Sequence, residues 1–364
     1  MRYYQIGTYT LRRLLISIPV LFGILIISFM LTRLVPGHPC DWILTDKGTQ
    51  EMCDRVIQAK GLDKPIPIQF GIYMKDVLRG DFGNSIRYNR PVIQILAERL
   101  PATLELNLTA FLIAVVIGIP IGIISAIRKN TPFDKVSMIG ANLGVPTPVF
   151  WLSLIMMYVF AVLFRDTPFW LPPSGRVSAG VSSIPFYEVY GLTATAGSLR
   201  FFVFDFMSNF YIFNSMITLD YDVLRDTLNH LILPAVTMSI IPLAIIARLT
   251  RSSLLDELGF LYIVGARAKG LRRSKAITKH GFPNAMLPIV TIMGLQIGSL
   301  LSGTVLTETV FAFPGLGRML YESIIAHDYP VVQMIIFVIA ITFVITNIIV
   351  DCLYAVLDPR IRLE

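Results

Sequence analysis

The sequence predicts an all-α integral membrane protein with six transmembrane helices and sizeable extracytoplasmic excursions, on three observations. Hydrophobic residues make up 54% of the 364-residue chain and charged residues only 15%, with a mean hydropathy of +0.67; a soluble domain carries about 25% charged residues. The apolar residues gather in runs near the ~20 residues a helix needs to cross a hydrocarbon core of ~30 Å. The Lys and Arg residues concentrate in some of the intervening segments and not in others, and short loops rich in Lys and Arg stay in the cytoplasm. The net charge of +7 is thus a topology signal. No basic groove interleaved with aromatics, as nucleic-acid binding would need, is present.

The first span is 14–33, LLISIPVLFGILIISFMLTR. Arg12 and Arg13 ahead of an apolar run also suit a signal peptide, but this run is about 20 residues long and lacks an A-x-A cleavage site, so a retained span is expected. Residues 35–99 mix both charge signs with Pro and Gly breaks and helical stretches near 51–60 and 67–79, too polar to cross. Spans two and three, 103–127 and 136–164, flank the short basic loop Arg128–Lys135. Within span three, Gly144-Val145-Pro146-Thr147-Pro148 should kink or interrupt the helix. A second excursion covers 165–229, and the remaining spans are 230–250, 285–306 and 333–356.

Residues 199–219, LRFFVFDFMSNFYIFNSMITL, are apolar enough to compete as a seventh span. A central acid such as Asp205 costs ~2.5–3.5 kcal/mol on insertion. A seventh span would also place the most basic loop outside. With six spans and the N-terminus inside, residues 1–13, 128–135, 248–284 and 351–364 hold 16 Lys and Arg against 6 Asp and Glu. The rest of the chain holds 15 against 18. The 199–219 stretch is therefore expected to form an aromatic surface helix or cap.

The most basic loop runs from Arg248 to Leu287, with eight cations against Asp256 and Glu257. Asp256–Lys269 predicts a short helix, Gly270 its stop, and Arg272–Gly281 a second short helix before Pro283. A cytoplasmic helix-turn-helix elbow at the end of a bundle is a docking element for a soluble partner; the plainer alternative is a basic membrane-surface anchor.

This loop resembles the coupling motif of ABC importer permeases: a small-residue cluster, a Gly, and a hydrophobic-x-hydrophobic-Pro ending. Gly265 and Ala266 stand five and four residues ahead of Gly270, and Pro283 thirteen after it. Val264 replaces the motif's Glu and His280 its Ile, departures that resemble the dipeptide/oligopeptide branch, whose version is similar to ARAKGL here. The surrounding text is more specific: LDKPIPIQ (62–69), RGDFGNSI (79–86), LPPSGR (171–176), HLILPA (230–235), ARLTRSS (247–253), NAMLPIVT (284–291), LTETVFAFPGLGR (306–318), DYPVVQ (328–333) and DPRIR (358–362). The likeness covers nearly the whole chain, which is identified as a member of the peptide-type ABC importer permeases.

The resemblance implies the type I importer permease fold. Its segments are an N-terminal span with its extracytoplasmic part (1–98), a transmembrane domain (99–356) with an extracytoplasmic insertion (165–229) and a cytoplasmic coupling loop (251–284), and a cytoplasmic tail (357–364). It implies ATPase coupling through Gly265, Ala266, Arg267, Ala268, Lys269, Gly270 and Pro283. It implies four partners besides lipid: a second, related permease, two cytoplasmic ABC ATPases and an extracytoplasmic binding protein. The place is a bacterial inner membrane, with both termini cytoplasmic. Peptides are the implied cargo, and nickel chelates, glutathione or oligosaccharides use the same scaffold.

Residue chemistry agrees with a chain that is not itself the enzyme. The stretch nearest a P-loop, Gly265 to Gly270, continues Leu271-Arg272 and lacks the G-K-[ST] that holds phosphates. ATP and Mg are therefore expected on partner subunits and no cofactor here. His38, His230, His280 and His327 are scattered, with no second ligand at helical spacing, so no metal site is expected. Polar residues at membrane depth mark pathways by default. Asn142 and Gln296 are the best pathway candidates, followed by Asn347 and Glu105; for Glu105, near the outer end of its span, an anchoring hydrogen bond is the competing reading. Mainly neutral amides at that depth speak against an ion-coupled transporter working alone, which would need buried charged relays. Cys40 and Cys53 share an outer excursion where disulfides persist and are expected to pair, the alternative being two free thiols. Gly118/Gly122, Gly140/Gly144 and Gly294/Gly298/Ser302 allow close helix packing, either within this chain or, above all in the fifth span, against a second permease. The segment after that span, with Pro314, Gly315 and Gly317, is expected to leave the helix and fold back into the outer mouth or to form a plain exposed turn.

Overall fold

A computed structural model describes residues 2–34, 57–58, 63–192 and 197–357; Cys40, Cys53 and residues 358–364 lie outside them. The first helix, α1 (Arg2–Leu34), leads to α2 (Ile66–Leu78), which opens on Pro65 and Pro67. The long helix α3 (Val92–Ile127) follows. Next come α4 (Pro132–Gly144) and α5 (Val149–Met157), the latter prolonged by a wider π-helical stretch, Tyr158–Leu163. Three short helices, α6 (Phe186–Val189), α7 (Leu199–Ser208) and α8 (Tyr211–Thr218), precede α9 (Tyr221–Leu258). The elbow comprises α10 (Leu261–Ala268) and α11 (Arg273–Ala276), and α11 continues through a π-helical turn into α12 (Phe282–Val310). Last are α13 (Leu316–Ile325) and α14 (Tyr329–Leu357).

Five of these helices are long and apolar enough to cross a membrane, and α4 with α5 makes a sixth segment bent by 110°. The bend falls on Pro146 and Pro148, which donate no backbone N–H; Thr147 donates its hydroxyl to the Leu143 carbonyl at 2.6 Å. Packing decides that the bent pair counts as a crossing. Gly118 of α3 faces Leu243 and Ile246 of α9, and Gly122 faces Ala247 and Thr250. Leu106 shares a core with Leu231 and Ala126 another with Leu254. The two helices therefore run parallel, and the chain must return across the bundle between them. The described helices thus make six crossings.

Helix α9 is the hub: 67% of its most apolar window is buried, against 17% for α1 and α14. Its neighbour α12 runs antiparallel, with Ala285 and Ile289 beside Leu254 at one end and Leu300 beside Ala235 at the other. The glycine pairs sort accordingly. Side chains added at Gly118, Gly122 or Gly144 would meet α9, and those added at Gly294 or Gly298 would run into Val350 and Phe343 of α14. The fifth-span glycines thus pack within this chain, and at these two positions the reading as a face for a second subunit is corrected. Only at Gly140 of this set is the added position open.

Several boundaries move outward from their sequence-based places. Helix α3 begins at Val92 rather than 103, because Val92, Ile95 and Leu96 bury against Leu316, Met319, Val331 and Ile335. Helix α9 begins at Tyr221, so 221–229 belongs to it and not to the excursion; the Asp220 carboxylate accepts the Val223 N–H at 3.1 Å, and Val223 and Thr227 are buried. At ~1.5 Å per residue, helices of 36 and 38 residues outreach a ~30 Å core and carry structure beyond it. The 199–219 stretch does not span: α7 and α8 are separate, broken at Asn209 and Phe210, and each is far shorter than a crossing.

Candidate functional site

The motifs converge at the two ends of the bundle, named inner for the elbow end and outer for the opposite one after the charge-based expectation. At the inner end, α9 does not stop near 250, because Leu254 is fully buried among Ala126, Ile277, Ala285 and Ile289. Asp256 and Glu257 therefore finish α9, and the first elbow helix begins at Leu261, a correction to the start at Asp256. Ile263 is its buried anchor, whereas Leu261 and Val264 stand 86% and 55% exposed. Apolar side chains exposed outside the spans mark a surface for a partner.

Gly265, Arg267, Ala268, Lys269 and Gly270 are exposed on or just after α10, and Ala266 is half-buried. Gly270 takes φ +86°, a left-handed value that favours glycine. Its N–H bonds the Arg267 carbonyl at 3.0 Å and the Leu271 N–H the Ala266 carbonyl at 3.2 Å, the pairing of a Schellman termination. The stop predicted at Gly270 is therefore present. The second limb differs: there is no separate helix ending before Pro283, since α11 winds through Ile277–Gly281 directly into α12, with Pro283 in its first turn. Pro at that position needs no N–H partner, so it starts the span instead of ending the limb.

Polar ties bind the elbow to three spans. The Tyr262 hydroxyl donates to Glu257 at the end of α9 and accepts from Asn284 Nδ2 of α12 at 2.9 Å. Burial pushes the Tyr262 phenol above its usual pKa. Arg273 donates to the Ile127 carbonyl at the end of α3 at 3.3 Å. Nearby, Arg251 grips Asp134 through two bonds of 2.5 and 2.8 Å, a forked geometry suited to carboxylate. The Asn130 N–H completes the Asp134 cradle.

At the outer end, Glu105 of α3 accepts from Arg176 at 2.6 Å and from the Ile212 N–H at 2.9 Å. Arg176 also donates to the Asn209 carbonyl and lies over the Tyr211 ring. Both charges are buried, with 6% and 7% exposure. The LPPSGR motif thus anchors α7 and α8 to α3. Asp328 likewise accepts from Ser85 and from the Ile86 and Arg87 N–H groups, so RGDFGNSI and DYPVVQ form one joint. The segment after α12 is no exposed turn: Phe311, Phe313 and Leu316 are buried, and the Gly175 N–H bonds the Phe311 carbonyl at 2.9 Å. It folds back over α3. On the cap itself, Asp205 is held above the usual carboxylate range by burial and by Glu98, which the Tyr187 hydroxyl and Arg90 oppose.

Among the polar candidates, Asn142 Oδ1 accepts from Arg248 at 3.3 Å and Gln296 is buried beside Ser299, whose hydroxyl donates to the Gln296 carbonyl. Asn347 is half-buried on the peripheral α14. These residues engage different neighbours and share no hydrogen bond. The sequence reading passed over Glu308 and Arg176, both buried; an acid inside the apolar run LTETVF was the signal for the first. Among the described residues no three His, Cys, Asp or Glu come together as a metal site.

Two bundle ends, one with an exposed apolar elbow and one closed by the buried Arg176–Glu105 pair and buried carboxylates, suit a membrane subunit that couples to soluble partners. The family profile described as "Binding-protein-dependent transport system inner membrane component" matches residues 118–363, and its N-terminal companion matches 7–107. The chain belongs to this permease family. The permease is 40% identical over 354 residues to the dipeptide transport system permease protein of Alkalihalophilus pseudofirmus, covering 97% of this chain and 99% of that one. It is 37% identical to the protein of the same description in Escherichia coli strain K12, covering 97% and 98%. With the glutathione transport system permease protein of Salmonella choleraesuis the identity is 35%, again over 97% and 98%. It is thus a multi-pass inner-membrane transport component of the ABC importer type. The N-terminal match ends at 107 and the other begins at 118, both within α3, and the border near 98–99 expected from sequence also falls inside that continuous helix.

Proposed function

We propose that this permease is the membrane-spanning subunit of an ATP-driven importer for dipeptides and oligopeptides, contributing half of the translocation pathway beside a second, related permease. Two cytoplasmic ATPases, which hold the ATP and Mg, dock on the coupling elbows of the two permeases, here on α10, and an extracytoplasmic binding protein delivers substrate to the outer end. Both termini then lie in the cytoplasm. The observation that carries the coupling is the elbow: an exposed apolar helix ended by a left-handed glycine and tied through Tyr262 to α9 and α12, followed by α11, whose Arg273 bonds the end of α3. The peptide assignment is supported by the descriptions of the relatives that match over nearly the full chain.

In mechanical terms, approach of the two ATPases displaces α10, and the Tyr262 and Arg273 bonds pass that displacement to the span ends. The chain performs no covalent chemistry; it turns movement at 256–281 into alternating access. Reconstitution with its partner subunits in vesicles tests this reading. ATP-dependent uptake of a labelled dipeptide, requiring the binding protein and suppressed by excess unlabelled peptide, is expected. Uptake suppressed by glutathione and not by peptides would reassign the cargo, and uptake indifferent to ATP would end the importer reading.

A further inference from the structure

Glu308 is fully buried at the outer end of α12, with 0% exposure. Its carboxylate accepts from the Thr103 hydroxyl of α3 at 2.7 Å and from the Arg318 N–H at 3.0 Å, and it faces the Gly317 N–H as well. Thr103 in turn accepts the Leu316 N–H at 2.7 Å. One carboxylate and one hydroxyl therefore satisfy the first-turn N–H groups of α13, which have no intrahelical partners and favour a negative charge.

The surrounding chain is shaped to this contact. A side chain on Gly315 would overlap Glu308, and one on Gly317 would come within 2.7 Å of the Val305 backbone. Ala312 takes φ +48°, a value a residue with a side chain adopts at a cost of ~1–2 kcal/mol. Arg318 holds that turn by donating to the Ala312 carbonyl at 2.7 Å. A strained turn, two glycines and a buried acid thus press one short helix across the end of α3. The cations near Glu308 are Arg99, on α3, and Arg318, whose guanidinium is engaged by Glu322 and the Ala312 carbonyl.

We propose that Glu308 and Thr103 form the latch holding residues 311–325 closed over the outer end of the pathway, and that Glu308 is the positioning residue of that closure. The inference rests on the reading of this chain as an importer subunit. Truncating Glu308 frees the Gly317 and Arg318 N–H groups together with the Thr103 hydroxyl, and truncating Thr103 frees the Leu316 N–H and removes one donor from Glu308, so either change loosens the start of α13.

The test uses the assembled complex with Cys40, Cys53 and Cys352 replaced by Ser and the buried Met319→Cys as a reporter, labelled from outside by a membrane-impermeant maleimide without ATP or binding protein. Glu308→Ala is expected to raise the labelling rate about 10-fold, corresponding to ~1.4 kcal/mol of lost closure, and to raise ATP hydrolysis in the absence of binding protein. Thr103→Val should act likewise and Thr103→Ser should restore both values. If Glu308→Ala fails to assemble, the Thr103 pair carries the test alone. Unchanged labelling in an intact complex overturns the latch. Faster labelling without faster hydrolysis reduces Glu308 to a structural part and overturns its role in the pathway. The labelling arm needs no substrate, so it reads the latch even if the cargo proves not to be a peptide.

Discussion

Gly270 shows what a single residue contributes to the inner elbow. At φ +86° any side chain is strained by ~1–2 kcal/mol, and proline cannot reach that φ and would also lose the N–H that bonds Arg267. Gly270→Pro is therefore expected to leave the chain inserted in the membrane but to cut recovery of ATPase subunits on affinity purification several-fold, with Gly270→Ala milder. Ala266→Trp should act similarly by blocking close approach. Recovery of the ATPases at normal levels with both Gly270→Pro and Ala266→Trp would show that the elbow is not the docking element. At the outer end, Arg176→Met leaves Glu105 charged, buried and unpaired, a change costing about 3–5 kcal/mol; a thermal melt in detergent should show it as a drop of several degrees. The role of Gly270 could be read in the sequence because an isolated glycine after a periodic helix has one common use. The Arg176–Glu105 pair could not, since 71 residues separate its members and nothing local relates them.

Among the elements, the long apolar helices were legible and their ends were not. Helix α9 continues past the expected stop because Leu254 finds a buried place between α3 and α12, which no count along α9 itself reveals. The break in span three was visible as a Pro-Thr-Pro run, while its 110° angle depends on what packs against both halves. The outer cap of α6, α7 and α8 offers a pH test. Asp205 has its pKa raised above an ordinary 3.8 by burial and Glu98. A raised acid contributes stability below its ordinary value and loses it as pH rises through the folded value. The cap should thus resist proteolysis better as pH falls toward 4, and Asp205→Asn should flatten that dependence; an equal slope in the variant would reject the assignment.

On the scale of the whole molecule, parallel packing of α3 and α9 sets how many times the chain crosses between them, and the charge asymmetry of the loops sets the expected sidedness. With the native cysteines replaced, a cysteine at the exposed Ser182 should react with an impermeant thiol reagent added outside intact cells, and one at Ser274 should not; the reverse pattern would invert the topology. Charge asymmetry along the chain had indicated this arrangement, and the direction of the two central helices requires the same number of crossings on independent grounds. That hub has a further property, that of an unequal beam. Helix α9 approaches α3 closely where Gly118 and Gly122 meet residues 243–250. At ~1.5 Å per residue this fulcrum stands roughly 15 Å from the elbow end and roughly 40 Å from Tyr221. A sideways nudge of ~1 Å delivered beside the ATPases would arrive at the far tip as ~2–3 Å, if Pro234 and Pro242 do not absorb it. The glycines of α3 would then set the gearing of the transporter, and a side chain at Gly122, which would come within 2.6 Å of the Ala247 carbonyl, would force the two helices apart.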